Sequence, residues 1–338
     1  MPNETKQPLT SAEIANLWNL YVNDTMIICF KKYTIAKAED KQIRTILQKA
    51  LNISDKRSKD TTSIFSSENL PIPVGFNDKD INLEVPRLYS DTLALYHVLT
   101  RTRWALTMVS TALYLATRPD VRKFFQDAIA SSAKLNEDAT QVALTKGLLI
   151  HSPIVSVPQA PHFIERSNYI GSIIGKHRPL HVLSLAHIFL SIQENNFGKA
   201  LITGFSQVAR DPEVKKFFIR GAEIGAKHIK VYSSFLSDED IPITQSNDSM
   251  VTDSTIPPFS DKYMMNHILV ASTLSIADMG IAIGQSNRAD IVSTYSRLLL
   301  EILQYGEDGL IIAIKNGWLE AVPQVVNHKK LALSGKPS

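Results

Sequence analysis

An internal repeat constrains this chain more than any other feature of its sequence. Residues 90–99 and 260–269 carry the same residue types at matching positions, and their offset is close to half of the 338-residue length. The matching residues are Ser90, Asp91, His97 and Leu99 in the first copy and Ser260, Asp261, His267 and Leu269 in the second. A repeat of this period predicts a duplicated domain, in which each copy is long enough to build a core.

Apolar residues recur at helical spacing in both copies and predict four helices in each, within residues 9–149 and 180–319. Thr10 and Glu13 have the spacing of a capping box at the start of the first helix. Serine is a good N-cap, so the third helix of each copy should begin next to Ser90 or its counterpart in the second copy.

The connections between the predicted helices are short, long and short in each copy. Residues 69–89 and 240–259 lack helical periodicity and contain prolines, which indicates two long crossovers. A single long connection per bundle is typical of ferritin-like proteins. The predicted fold class is therefore all-α, with two tandem ferritin-like four-helix bundles that arose by internal duplication.

The domain prediction places the first bundle at residues 1–152 and the second bundle, with a C-terminal tail, at residues 180–338. Residues 153–179 form the predicted connector. Because this segment is rich in large apolar side chains, we expect it to pack against the bundles, with Phe163 and Ile170 mostly buried.

Composition narrows the classes of partner and compartment. The 36 basic and 33 acidic side chains nearly balance, so neither nucleic acid nor a membrane surface is an expected partner. Protein partners, including a second copy of the chain, remain open. The single cysteine, Cys29, excludes an intrachain disulfide, and we interpret it as a core thiol. With no signal-peptide pattern at the start, the sequence predicts a cytoplasmic protein.

The chain also contains several distinctive short motifs: Leu70, Pro71, Ile72 and Pro73, Ile241 and Pro242, the two Ser-Asp helix starts with His97 and His267, and the Arg-x-Asp motifs at 118–120 and 288–290. These features together resemble an uncharacterised protein family of endospore-forming bacilli, the domain of unknown function 3231. The resemblance implies tandem ferritin-like bundles and a spore-coat-like setting. It supplies no catalytic residues.

A metal centre is the chemistry that this fold class most often carries. Ferritin-type dimetal sites take a glutamate from each of two helices and a Glu-x-x-His motif from each of the other two. The second copy offers Glu194, His228, His267, Asp278 and Glu301 as candidate ligands. No Glu-x-x-His occurs among them, and the first copy has Asn23, Asn52, Arg57, Met108 and Ser131 at positions that match acids or histidine in the second. The sequence therefore predicts no cofactor, with iron or manganese in the second bundle as the alternative.

His97 and His267 are the histidines that both copies share. A pair of repeated histidines could form half of a metal site or carry a proton. We favour a structural interpretation, in which each is buried and bonded to a neighbouring helix or crossover, because no acid or cysteine recurs with them.

These patterns lead to three functional hypotheses. The first is a non-catalytic structural or interaction protein in a spore-associated setting, which uses helix faces or the crossovers as contact surfaces. The second is a ferritin-like, di-iron or di-manganese oxidoreductase with its site in the second bundle. The third is a protein that binds an apolar small molecule between helices.

Overall fold

The computed structural model describes residues 7–156, 158–161, 163–165, 167–175, 177–242, 248–329 and 332. In this part of the chain the long elements are eight α-helices, and strand pairing is limited to two isolated bridges. The helices are α1 (Ser11–Lys37), α2 (Lys41–Ser67), α3 (Asp91–Leu115), α4 (Pro119–Thr145), α5 (Val182–Val208), α6 (Pro212–Ser237), α7 (Asp261–Gln285) and α8 (Ala289–Lys315). Helices α1–α4 form the first bundle and α5–α8 the second, so the all-α duplicated fold is confirmed.

The repeated Ser-Asp pair has a structural explanation in both bundles. Ser90 and Ser260 are the N-caps of α3 and α7, at the predicted positions. The carboxylate of Asp91 accepts hydrogen bonds from the backbone N–H groups of the α1–α2 turn, at 2.9 and 2.7 Å. Asp261 accepts the same bonds from the α5–α6 turn, at 3.1 and 2.8 Å. The motif therefore ties the start of the third helix to the first turn.

The Arg-x-Asp motif also stabilises the fold in the same way in each copy. Arg118 bonds Asp120 two residues later, and its Nη1 reaches Glu68, just after α2, at 2.7 Å. In the second bundle Arg288 bonds Asp290 and reaches Glu239, just after α6, at 3.2 Å. Each arginine thus joins the start of the fourth helix to the end of the second.

The two crossovers pair with each other. Antiparallel bridges join Ile81 to Phe259 and Tyr89 to Val251. The backbone N–H of Asn82 donates to the carbonyl of Pro258 at 2.8 Å. The crossovers, which the sequence suggested as contact surfaces for partners, thus connect the two bundles within the chain.

One core cluster extends across both bundles, in addition to clusters inside each. It contains aromatic side chains from α1 and the first crossover together with others from α5, α6, the second crossover and α7. Its fully buried aromatic members include Phe30, Tyr33, Phe205, Phe218 and Tyr263. We call it the shared core, since neither bundle could complete it alone.

Helix α7 belongs to this core although its composition would also suit a membrane. By length and mean hydropathy this helix could cross a bilayer. In the structure it is the third helix of the second bundle, and Tyr263, Met264 and His267 on it are buried.

The prediction of a packed connector is wrong for the residues on which it rested. Phe163 is 95% exposed and Ile170 is 57% exposed, and Ile154 is 99% exposed. Contacts hold the two ends of the segment: Gln193 bonds the carbonyl of Ile150, and Arg288 bonds that of Arg178. The apolar content of the connector predicted burial. Between its two anchored ends, however, Phe163 and the described aliphatic side chains face solvent. The end of the predicted tail, residues 333–338, lies outside the described part.

Candidate functional site

The two repeated histidines lie side by side where the bundles meet. His97 on α3 and His267 on α7 are 0% and 1% exposed, and their ring centroids are 5.3 Å apart. Both face the shared core because each lies two turns after its capping serine. The predicted burial of both side chains is confirmed. Their contact with each other was not predicted.

Each histidine has a defined hydrogen-bond partner. The Nζ of Lys31 lies 2.9 Å from His97 Nδ1, and a proton donated there leaves the ring proton of His97 on Nε2. The hydroxyl of Tyr263 donates to the carbonyl of Met26 at 3.1 Å and lies 3.2 Å from His267 Nδ1. A hydroxyl that donates elsewhere accepts here, so Nδ1 of His267 carries its proton.

Aromatic rings surround the pair with groups from both halves. Phe30 stacks on His97 at 4.0 Å and on Phe259 at 5.6 Å, and Phe259 stacks on Tyr263 at 4.6 Å. The rings come from α1, α3, the second crossover and α7. This stack packs against the histidines and gives them a largely apolar environment.

Four basic side chains share this environment: Lys31, His97, Arg101 and His267, which we call the basic cluster. All four are buried. Burial lowers the pKa of Lys31 well below its ordinary value, and the neighbouring Arg101 lowers it further. Burial and the nearby cations also hold the pKa values of His97 and His267 well below their ordinary range. Both imidazoles are therefore neutral at pH 7.

The acids predicted as ligands in the second bundle lie at two separate places. Glu194 and Asp278 both bond Arg103, which reaches them from the first bundle. The guanidinium meets Asp278 through two hydrogen bonds, of 3.2 and 3.0 Å. Burial raises the pKa of Glu194, and the charge of Arg103 counteracts this shift. These groups form an ion-pair link between the bundles.

Glu301 and His228 form the second pair of predicted ligands. Glu301 Oε2 lies 2.9 Å from His228 Nε2, and its other oxygen accepts from Lys227 at 2.7 Å. Although burial opposes it, Lys227 and His228 lower the pKa of Glu301. Burial lowers the pKa of His228 despite the adjacent carboxylate. Glu301 thus forms an ion pair with Lys227 and accepts a hydrogen bond from His228 at the side of the second bundle.

The structure does not assemble the five predicted ligands into one site, since His267 belongs to the basic cluster. Within the described residues, no three histidine, cysteine or acidic side chains are grouped closely enough to hold a metal. The first bundle has a different arrangement in its interior. There Arg57 bonds Asp24 through two contacts, of 3.0 and 2.5 Å, and also donates to Ser132.

Sequence reasoning missed Lys31, Arg101, Arg103 and Asp24. Alignment of the two copies contained a signal for the first two. Lys31 matches Ile202 and Arg101 matches Ala271, so both charges occur at positions that are apolar in the other copy. A charge at a core position of one repeat is a reason to suspect a buried group.

Comparison with known proteins agrees with the division into two copies. The family model described as protein of unknown function (DUF3231) matches residues 1–160 and again residues 168–331. The chain belongs to this family. The two matches to DUF3231 coincide with the two bundles, and the break between them falls in the connector.

No curated protein matches the chain. A solved structure of a candidate spore coat protein from Bacillus halodurans is similar over 46% of this chain and 100% of its own, with 17% identity and a TM-score of 0.42. Similarity of this extent carries no argument about the function or location of this DUF3231 protein.

Proposed function

We propose that the protein is a non-catalytic structural or interaction protein. The observation that supports this most is the pairing of the acids at the predicted metal positions. Glu194 and Asp278 bond Arg103 from the other bundle, and Glu301 bonds His228. To take a metal, these acids would have to leave their partners, and Arg103 would lose its counter-charges in a partly buried place. Their present role is to stabilise contacts between helices and bundles.

Metal content tests the non-catalytic part of the proposal. Protein purified without added metal should contain iron, manganese and zinc far below one equivalent per chain, as measured by elemental analysis. Stoichiometric metal that disappears on Glu301→Ala or His267→Ala, but persists on His97→Ala, would contradict the proposal. Such a result would favour the oxidoreductase hypothesis instead.

The connector is the contact element that we propose for interaction. Ile154, Phe163 and Ile174 are 99%, 95% and 86% exposed, and apolar side chains exposed together on one segment suit a protein contact. The occupant that we propose is a second copy of this chain, which brings an identical apolar segment. The nearly balanced charge of the chain supports a protein partner over nucleic acid or membrane.

Light scattering after size exclusion tests this contact. The wild-type chain should show a concentration-dependent mass above that of one chain. The triple variant Ile154→Ser, Phe163→Ser, Ile174→Ser should remain a single chain at the same concentrations. Tyr114→Ser removes an exposed side chain from α3 and serves as the matched control, which should associate like wild type. A wild-type mass of one chain at all concentrations would refute self-association.

A spore setting completes the proposal, and it is supported by the resemblance to a family of endospore-forming bacilli. Immunodetection in fractionated sporulating cells tests it. The protein should be enriched in purified spores relative to the mother-cell cytoplasm. Its confinement to vegetative cytoplasm would remove the spore setting and leave the structural proposal intact.

A further inference from the structure

Arg101 differs from the other buried arginines of the protein. The described part of the chain buries four arginines, and three of them are paired with aspartates. These pairs are Arg57 with Asp24, Arg118 with Asp120 and Arg288 with Asp290. Arg101 instead donates from Nη2 to the sulfur of Met26 at 3.8 Å. Its Nη1 has no hydrogen-bond partner among the described residues.

The neighbours of Arg101 add positive charge or neutral groups. Lys31, His97 and His267 complete the basic cluster. Within this cluster His97 Nε2 is also buried and has no hydrogen-bond partner among the described residues. The nearby phenol of Tyr263 is neutral, because burial raises its pKa well above the ordinary value. The two oxygens of Asp80, a buried acid of the first crossover, accept hydrogen bonds from the hydroxyl of Ser260 at 2.7 Å and the backbone N–H of Asn77 at 3.1 Å, and not from Arg101. A guanidinium keeps its charge in proteins, so this one lacks a counter-anion.

A cavity of about 120 Å³ lies next to this charge, between α3 and the second bundle. Its wall includes the basic residues Arg101, His267 and Lys199, and much of the rest is apolar, including Ile202, Ile268 and Ala271. Its wall also contains Glu194, whose charge is compensated by Arg103.

The cavity lies where the two copies differ. Ile202 and Ala271 in its wall are the counterparts of Lys31 and Arg101. At these two positions the first copy carries cations, while the second carries apolar side chains and, through the small side chain of Ala271, leaves free space. A cation in the wall of a largely apolar cavity favours an anion with an apolar body.

We propose that this cavity binds a small organic carboxylate, with its charge on Arg101 and its apolar body against Ile202 and Ile268. The planar guanidinium matches a carboxylate through two parallel hydrogen bonds. The volume limits the ligand, since an apolar cavity of ~150 Å³ holds benzene. Butyrate fits this limit, whereas benzoate, which is larger than benzene, exceeds it. The site is independent of the structural role proposed above.

Calorimetric titration of the dialysed full-length protein tests the site. Butyrate should bind saturably and raise the melting temperature with concentration. Butyramide, which lacks the charge, and inorganic phosphate, which lacks the apolar body, should bind at least tenfold more weakly. Arg101→Met should weaken carboxylate binding at least tenfold.

The melting temperatures of two ligand-free variants show whether a loss of binding could come from misfolding. Arg101→Met removes a charge without a partner and keeps apolar bulk, so it should melt at or above the wild-type temperature. Arg57→Met is the matched control, which strands Asp24 and should melt lower while its folded fraction still binds butyrate.

The proposal is overturned if butyrate does not bind the wild-type protein, or if Arg101→Met binds it as tightly as wild type. It is also overturned if butyramide or phosphate binds as tightly as butyrate. A clearly lowered melting temperature of ligand-free Arg101→Met would show that the fold already satisfies this charge, and would likewise refute the site.

Discussion

The first bundle contains one buried ion pair inside itself, whereas the second bonds two of its carboxylates to an arginine of its neighbour. Asp24 and Arg57 bond each other inside the first bundle. Their counterparts in the second copy are Asn195 and His228, which cannot form that pair. The second bundle instead bonds Glu194 and Asp278 to Arg103 of the first, so ion pairing at this level joins the bundles.

This contrast separates what the fold requires from what each copy adds. The capping serines, the aspartates that follow them and the Arg-x-Asp arginines make the same bonds in both copies. The charged groups of the first interior, at Asp24, Lys31, Arg57 and Arg101, have no charged counterpart of the same kind in the second copy. The shared features therefore define the four-helix fold, and the differing ones define how the two copies fit together.

The largest effect should come from breaking the internal pair of the first bundle. Arg57→Met leaves the carboxyl of Asp24, whose pKa is raised by burial, without its partner, which should lower the free energy of unfolding by about 3–5 kcal/mol in urea denaturation. Adding Asp24→Leu to this variant should recover most of the loss, because no buried carboxyl then remains without a partner. A loss below about 1 kcal/mol from the single change would show that the pair does not stabilise the interior.

An intermediate effect should appear at His97 and His267, the buried histidines that both bundles share. Burial lowers the pKa of each in the fold below its ordinary value of 6.5, so below that pH the unfolded chain takes up the proton first. Their contribution to stability is complete above pH 6.5 and is lost as pH falls. Relative to His97→Gln, wild type should lose about 1.4 kcal/mol of unfolding free energy per pH unit in this range.

His267→Gln should show the same pH dependence, since the two rings share one environment. Glu194, whose pKa is raised by burial, titrates in the opposite sense but is present in every protein compared, so it cancels. Parallel stability curves for wild type and either variant between pH 5 and 7 would contradict the assignment of neutral, buried imidazoles.

The smallest effect should come from Glu301 in the second bundle, which bonds His228, the counterpart of Arg57. Glu301 is 29% exposed and has Lys227 as a second partner. Glu301→Gln should therefore cost about 1 kcal/mol in the same urea denaturation, because solvent screens the lost charge. A loss as large as that of Arg57→Met would abolish the contrast between the two interiors.

Local signals in the sequence were sufficient for the helices, and long-range contacts were not predictable from them. Ser90 and Ser260 marked helix starts because capping depends on neighbouring residues. The pairing of Ile81 with Phe259 depends instead on how the two copies dock. The contact of His97 with His267 depends on the same docking. The sequence could therefore identify the repeated histidines but could not show that they are neighbours. Phe163 shows a third limit, since apolar character does not determine which surface, if any, covers a side chain.

The central claim is that the two copies form one folding unit through the shared core and the paired crossovers, and cleavage of the connector tests it most directly. A recognition site for a specific protease, inserted after residue 163, should be cut readily because the segment is exposed. We predict that the two fragments then co-elute at the size of the intact chain and unfold in a single transition. Fragments that separate on size exclusion, or that melt in two independent transitions, would contradict the claim.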